Sequence, residues 1–186
     1  MQLDESATVQ IMNIQPARFL FIVMMIWPAF IAASQGSHQP EQVEFSAEDS
    51  GVKRPAPIPM DVLAALRNDV IVQSALEDQK ISAEKTPPSW FSASAIRLSG
   101  PDQGDLVVMG VGLRGYNMIE FWVFRATAHG HELVLNAPAR DLKVENTRWH
   151  GYRDITFTSA MGEQIWCRFD GERYTKYKSS LEPSGK

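Results

Sequence analysis

Four histidines and one cysteine bound the chemistry open to this 186-residue chain. The stretch HGHE sets His129 and His131 two positions apart with Glu132 beside them. Alternate residues of a strand share a face, so two imidazoles at this spacing can converge on zinc, with His150 or Asp141 completing the set. The same histidines stand where the chain reverses direction, and there they read instead as exposed turn residues. Nucleophilic catalysis needs a serine or cysteine with a base and an orienting acid in reach. No serine lies in a Gly-x-Ser-x-Gly turn, and Cys167, between Trp166 and Arg168 in a strand-like run, reads as a small buried side chain. Glu120 with Asp154 or Glu132 is the kind of carboxylate pair that cleaves glycosides, but a chain with 22 acidic residues offers many such pairs.

Recognition chemistry has more to build on. Trp90, Trp122, Trp149, Tyr116, Tyr152 and Tyr174 are numerous for a chain of this size. Trp149 and Tyr152 flank the loop RWHGYRD beside Arg148 and Arg153. Rigid aromatic area next to forked guanidinium donors is what binding surfaces are enriched in, which makes Arg148, Trp149, Tyr152, Arg153 and Tyr116 the candidate binding residues. The competing reading puts Trp90 and Trp122 in the core and leaves Trp149 to cap its loop.

The elements that position these residues follow from periodicity. In PMDVLAALRND, Asp61 can cap a helix on which Val62, Leu63, Leu66 and Val70 recur at helical spacing. IVQSALEDQKI either prolongs that helix or forms a second one, and Pro87 and Pro88 end the unit. From Trp90 onward, short β-branched and aromatic runs alternate with turn residues, the pattern of an antiparallel meander. About eight strands are predicted: WFSASAIRL, DLVVMGV, IEFWVFRA, HELVLNA, DLKVENT, YRDITFT, QIWCRF and RYTKYK. Gly130 can supply positive φ between the third and fourth, and Asp170-Gly171 is a hairpin signal between the last two. IEFWVFR is apolar on both faces and predicts a central strand covered on both sides. RYTKYK predicts an edge strand protected by charge. The expected fold is therefore α+β and mostly β: a short N-terminal amphipathic helix packed on a curved sheet or sandwich.

The N-terminal stretch FLFIVMMIWPAFIAA, residues 19–33, is uncharged, follows Arg18 directly and ends in Ala32, Ala33 and Ser34. It is shorter than the ~20 residues a spanning helix needs and has the layout of a cleaved secretory signal. Cleavage after Ser34 is predicted, with no permanent membrane anchor afterwards, and translation from Met12 would give a shorter basic n-region than translation from Met1. Residues 35–58, rich in Gln, Ser, Glu and Pro, read as a flexible linker, residues 59–180 as one domain, and 181–186 as a disordered tail. Of the 18 basic and 22 acidic residues, Arg18, Asp4 and Glu5 fall in the signal, so the mature chain carries a net charge of −3. That balance draws it to neither nucleic acid nor anionic lipid. With a single cysteine, the fold rests on its apolar core.

Two stretches echo one another: GDLVVMG ahead of FWVFRATAHGHELV, and RDITFTS ahead of IWCRFDGERYTKY. Asp105 corresponds to Asp154 and Trp122 roughly to Trp166, as expected of a duplicated hairpin pair. GPDQGDLVVMG resembles an integrin-type FG-GAP repeat, a resemblance that implies calcium on Asp102 and Asp105 with the Gln103 carbonyl. The alternative is an aspartate that bonds its own turn backbone. More broadly, residues 58–178 resemble a recurring type of small exported bacterial protein of unknown function. The shared marks are Leu-Arg-Asn-Asp on a short helix, a Trp-Phe strand, Asp-Leu-Val-Val, Phe-Trp-Val-Phe-Arg with His-Gly, and Gly-Tyr-Arg-Asp-Ile before Arg-Phe-Asp-Gly-x-Arg-Tyr.

Together these features predict an exported, periplasmic or extracellular module without enzymatic activity or cofactor. It would bind a protein or envelope component through its loops, as a hydrolase inhibitor or accessory factor does. The alternative is a small envelope hydrolase with metal at His129 and His131.

Overall fold

The computed structural model describes residues 41–100, 104–113, 115 and 117–181. In chain order the elements are β1 (Glu44–Ser46), α1 (Met60–Arg67), α2 (Val70–Asp78), β2 (Ser92–Ile96), β3 (Asp105–Met109), β4 (Ile119–Thr127), β5 (Gly130–Ala139), β6 (Asp141–Trp149), β7 (Tyr152–Thr158), β8 (Glu163–Phe169) and β9 (Tyr174–Leu181). They build two antiparallel sheets, β2-β3-β4-β5 and β1-β6-β7-β8-β9. All eight predicted strands are present, four in each sheet as an up-and-down meander.

Alternation along the strands decides what packs where. Val107, Met109, Phe121 and Val123 of the first sheet meet Leu142, Val144, Ile155, Cys167 and Phe169 of the second in one apolar core. The intervening side chains of the first sheet, Leu106, Val108, Trp122 and Phe124, point the other way and meet Val62, Leu66, Val72 and Leu76 of the two helices. Each such side chain, fully buried, contributes about 1.5–3 kcal/mol. β4 is thus the central, doubly covered strand that its sequence predicts. The layers run helices, first sheet, second sheet, and among the described residues no helix lies on the outer face of the second.

The helical unit differs from expectation in detail. Pro59, not Asp61, occupies the first N-cap, and the chain breaks at Asn68 and Asp69 before restarting as α2. The restart shifts the helical phase, so Val70 is 75% exposed instead of joining Leu66 in the core. Asp69 explains the break. Its Oδ1 accepts the Ile71 N–H as a cap, while Oδ2 accepts from Trp122 Nε1 and Asn136 Nδ2, each at 2.9 Å. One carboxylate therefore pins the helix junction to β4 and β5.

The linker reading is corrected for its described part. Glu44, Phe45 and Ser46 pair with Lys143, Leu142 and Asp141, making β1 the ninth strand. Phe45 is 2% exposed in the inter-sheet core, and Ala56 N–H donates to Ala93 O at 2.7 Å. A three-residue strand with one large apolar residue is too short to show a period among polar neighbours. The predicted signal, residues 35–40 and residues 182–186 lie outside the described residues. Among those described, no helix is long and apolar enough to cross a membrane.

Candidate binding face

Among the described residues the histidines are not grouped as a metal centre. His131 is held by Asp61, whose Oδ2 accepts its backbone N–H at 2.8 Å and lies 2.9 Å from Nδ1; Nε2 is 3.3 Å from Gly104 O. The bond to His131 lowers the Asp61 pKa. His129 sits exposed in the β4–β5 turn with its N–H on Thr127 Oγ1, His150 lies in a different hairpin against Trp149, and Asp141 pairs with Arg140. Among the described residues no three His, Cys, Asp or Glu side chains are grouped to hold a metal ion. Asp102, Gln103 and Tyr116 lie outside the described residues. Asp105 is buried, and its two oxygens accept the Leu98 and Ala126 N–H groups at 2.8 Å each, tying β3 to the end of β2 and to β4. Burial raises its pKa even so.

The carboxylate pairs are likewise apart. Glu120 faces the helices near one end of β4, opposite Pro138, whereas Glu132 stands opposite Arg125. Five strand positions separate the two, about 16 Å, too far for glycoside cleavage. Asp154 belongs to the other sheet. Glu120 is 7% exposed, and burial with the neighbouring Asp69 charge pushes its pKa up to about 7. Burial also raises the Cys167 thiol to about 11, as befits an inert core side chain.

The loop RWHGYRD is a tight hairpin. His150 and Gly151 both take positive φ, 49° and 84°, which suits the right-handed twist of the flanking strands. Arg153 turns inward and is 6% exposed. Its guanidinium donates to Glu145 O at 2.6 Å, Val144 O at 3.0 Å and Glu41 Oε2 at 3.1 Å, filling the bulge where β6 loses register between Val144 and Arg148. Arg148 Nη1 donates to the carbonyls of Leu98, Ser99 and Gly151. Arg153 is therefore consumed inside the protein, a correction to its reading as a ligand contact, whereas Arg148 is exposed and is anchored through Nη1 alone. Their partners are main-chain carbonyls freed by a bulge and a strand end, which side-chain patterning does not reveal. Tyr152 packs on Phe169 with ring centroids 4.2 Å apart, and its hydroxyl accepts from Arg125 Nη1.

Of the predicted binding residues, Arg148 and Trp149 are exposed, Trp149 to 45%. The structure adds neighbours to it that the sequence reading did not single out. Arg168 lies between the rings of Trp149 and Tyr177, 4.9 and 3.9 Å from their centroids, and Lys178 lies 4.6 Å over Trp166. Trp166 and Arg168 share the outward face of β8, which the period of two in QIWCRF would have indicated. Tyr177 joins them where the β8–β9 register shifts between Trp166 and Cys167. Beneath this row, Asp154 is 1% exposed. Its Oδ2 accepts from Thr147 Oγ1, and its Oδ1 is 3.6 Å from Arg168 Nε. Toward β1, a groove of about 390 Å³ is lined by Glu44, Lys143, Thr156, Thr158 and Gln164 among others. Stacked aromatic and cationic groups on an uncovered sheet can recognise a ligand through flat contact and charge. No family model matches this chain, and no curated protein or solved structure is significantly similar to it.

Proposed function

We propose that this chain is an exported, non-enzymatic module that binds a protein or other envelope component through the open face of its second sheet, in the manner of a hydrolase inhibitor or an envelope accessory factor. One observation carries the reading: Trp149, Arg168 and Tyr177 form a stacked row on a face that neither described helix covers, whereas the matching face of the first sheet is buried under α1 and α2. Export rests on the uncharged stretch after Arg18.

The test uses the full-length gene with a C-terminal tag. Fractionation and mass spectrometry are expected to find the protein outside the cytoplasm, cut after Ser34 or at a neighbouring position. Co-sedimentation with envelope preparations is expected for wild type and is expected to be lost in the Trp149→Ala/Tyr177→Ala double variant with its melting transition retained. An intact N-terminus on a cytoplasmic protein overturns export. Undiminished envelope binding by the double variant overturns the proposed face.

A further inference from the structure

Arg125 and Arg168 hold matching registers in the two sheets. Leu106, which follows Asp105, pairs with Phe124, which precedes Arg125; Ile155, which follows Asp154, pairs with Cys167, which precedes Arg168. Each guanidinium lies over two rings, Arg125 over Tyr152 and Phe169, Arg168 over Trp149 and Tyr177. Each also has its aspartate nearby: the Arg125 charge acts on Asp105, and Arg168 is paired with Asp154. The faces differ, since Arg125 points at the second sheet and Arg168 points outward.

The cross-strand neighbours differ too. Arg125 stands opposite Glu132, whose carboxylate accepts from Nη2. Arg168 stands opposite Thr175, which is short and uncharged. Among the described residues the Arg168 guanidinium makes no hydrogen bond; its Nε, shielded from solvent, has only the Asp154 carboxylate nearby, at 3.6 Å. A partly exposed guanidinium held against two rings is ordered in advance for a carboxylate.

We infer that Arg168, Trp149 and Tyr177 form a receptor for an aspartate or glutamate side chain on an acidic, extended segment of a partner protein, filling the place that Glu132 fills at Arg125. The inference rests on the proposed binding face and names its ligand. Charge favours it: the stretch from Arg173 to Leu181 holds Arg173, Lys176 and Lys178 and no acid, and among the described residues only Lys176 of the three forms an ion pair, with Glu163 at 3.0 Å. A protein segment fits better than an acidic glycan because, among the described residues, β9 is the outer strand of its sheet, so an extended peptide can bond along its edge. Glu132 itself supplies its carboxylate from a strand.

The full-length chain, purified as it is exported, is titrated calorimetrically with poly-L-glutamate, poly-L-glutamine and polygalacturonate at low ionic strength. Poly-L-glutamate is expected to bind, and poly-L-glutamine is not. Arg168→Gln is expected to weaken binding about tenfold, as loss of a charged hydrogen-bond partner does. Thr175→Glu, which gives Arg168 an internal carboxylate, is expected to do the same, whereas Ser180→Glu, with the same added charge further along β9, is expected to change affinity less than threefold. Absence of poly-L-glutamate binding overturns the inference. So does equal affinity in wild type and Arg168→Gln, equal loss in the two glutamate variants, or tighter binding of polygalacturonate. If envelope binding nonetheless depends on Trp149 and Tyr177, the face stands and only its ligand class falls.

Discussion

The two sheets use tryptophan and arginine in opposite ways. In the first, Trp122 is fully buried between β4 and the helices, with its indole N–H on Asp69, and Arg125 is locked between the sheets by Glu132 and the Tyr152 hydroxyl. In the second, Trp149 and Arg168 stack on each other at the surface, and the guanidinium edge has no bonded partner among the described residues. Like residue types thus stabilise one sheet and are exposed on the other. Orientation makes the difference: Trp122 points at the helices and Arg125 between the sheets, whereas Trp149 and Arg168 point away from both.

Truncation of the buried Trp122 should therefore be costly and that of the exposed Trp149 mild. The largest effect is expected for Trp122→Ala, a loss of about 3–5 kcal/mol in chemical denaturation from the cavity and the unpaired Asp69 acceptor. Glu120 lies in the same layer with its pKa raised to about 7, first by burial and then by the Asp69 charge. The stability that its protonated form contributes is fully present below pH 4.5 and is lost as the pH rises to about 7, up to about 3 kcal/mol. Glu120→Gln is expected to flatten that decline in melting temperature measured from pH 5 to 8; a variant that declines as steeply as wild type would assign it elsewhere.

Arg168→Ala is expected to cost about 1–3 kcal/mol, since Asp154, 1% exposed and with no hydrogen bond on Oδ1, loses its cation. Arg125→Ala is expected to cost about 1 kcal/mol, mainly through lost packing on Tyr152 and Phe169, since the Glu132 side chain is 55% exposed and water takes the place of the guanidinium. A larger cost for Arg125→Ala than for Arg168→Ala, measured by denaturant titration, would contradict this reading of the two carboxylates. The smallest stability change is expected for Trp149→Ala, whose effect should appear in binding.

Much of the architecture was legible because it rests on alternation. The doubly apolar β4, the charged edge strand β9 and the hairpin at Asp170-Gly171 follow from side chains read two at a time, although that hairpin closes through four residues, with Asp170 Oδ1 accepting the N–H groups of Glu172 and Arg173. What stayed hidden depends on the backbone. β1 is three residues long, and Arg153 is buried by carbonyls that exist only because β6 bulges. The internal echo was visible through Asp105 and Asp154, but Trp122 and Trp166 are not equivalents: counted from those aspartates, one pairs with the third residue on, Val108, and the other with the second, Thr156. That one-residue difference turns the two tryptophans to different faces and leaves Arg125 and Arg168 as the matching pair. The binding row was missed because Trp149, Arg168 and Tyr177 come from three strands and meet only when the second sheet forms.

The affinity of Thr175→Glu for poly-L-glutamate, set against wild type in one buffer, tests the central claim most directly. An unoccupied guanidinium at Arg168 predicts that the new carboxylate displaces the ligand and lowers affinity about tenfold. Unchanged affinity would show that the acidic ligand binds elsewhere and would contradict the account.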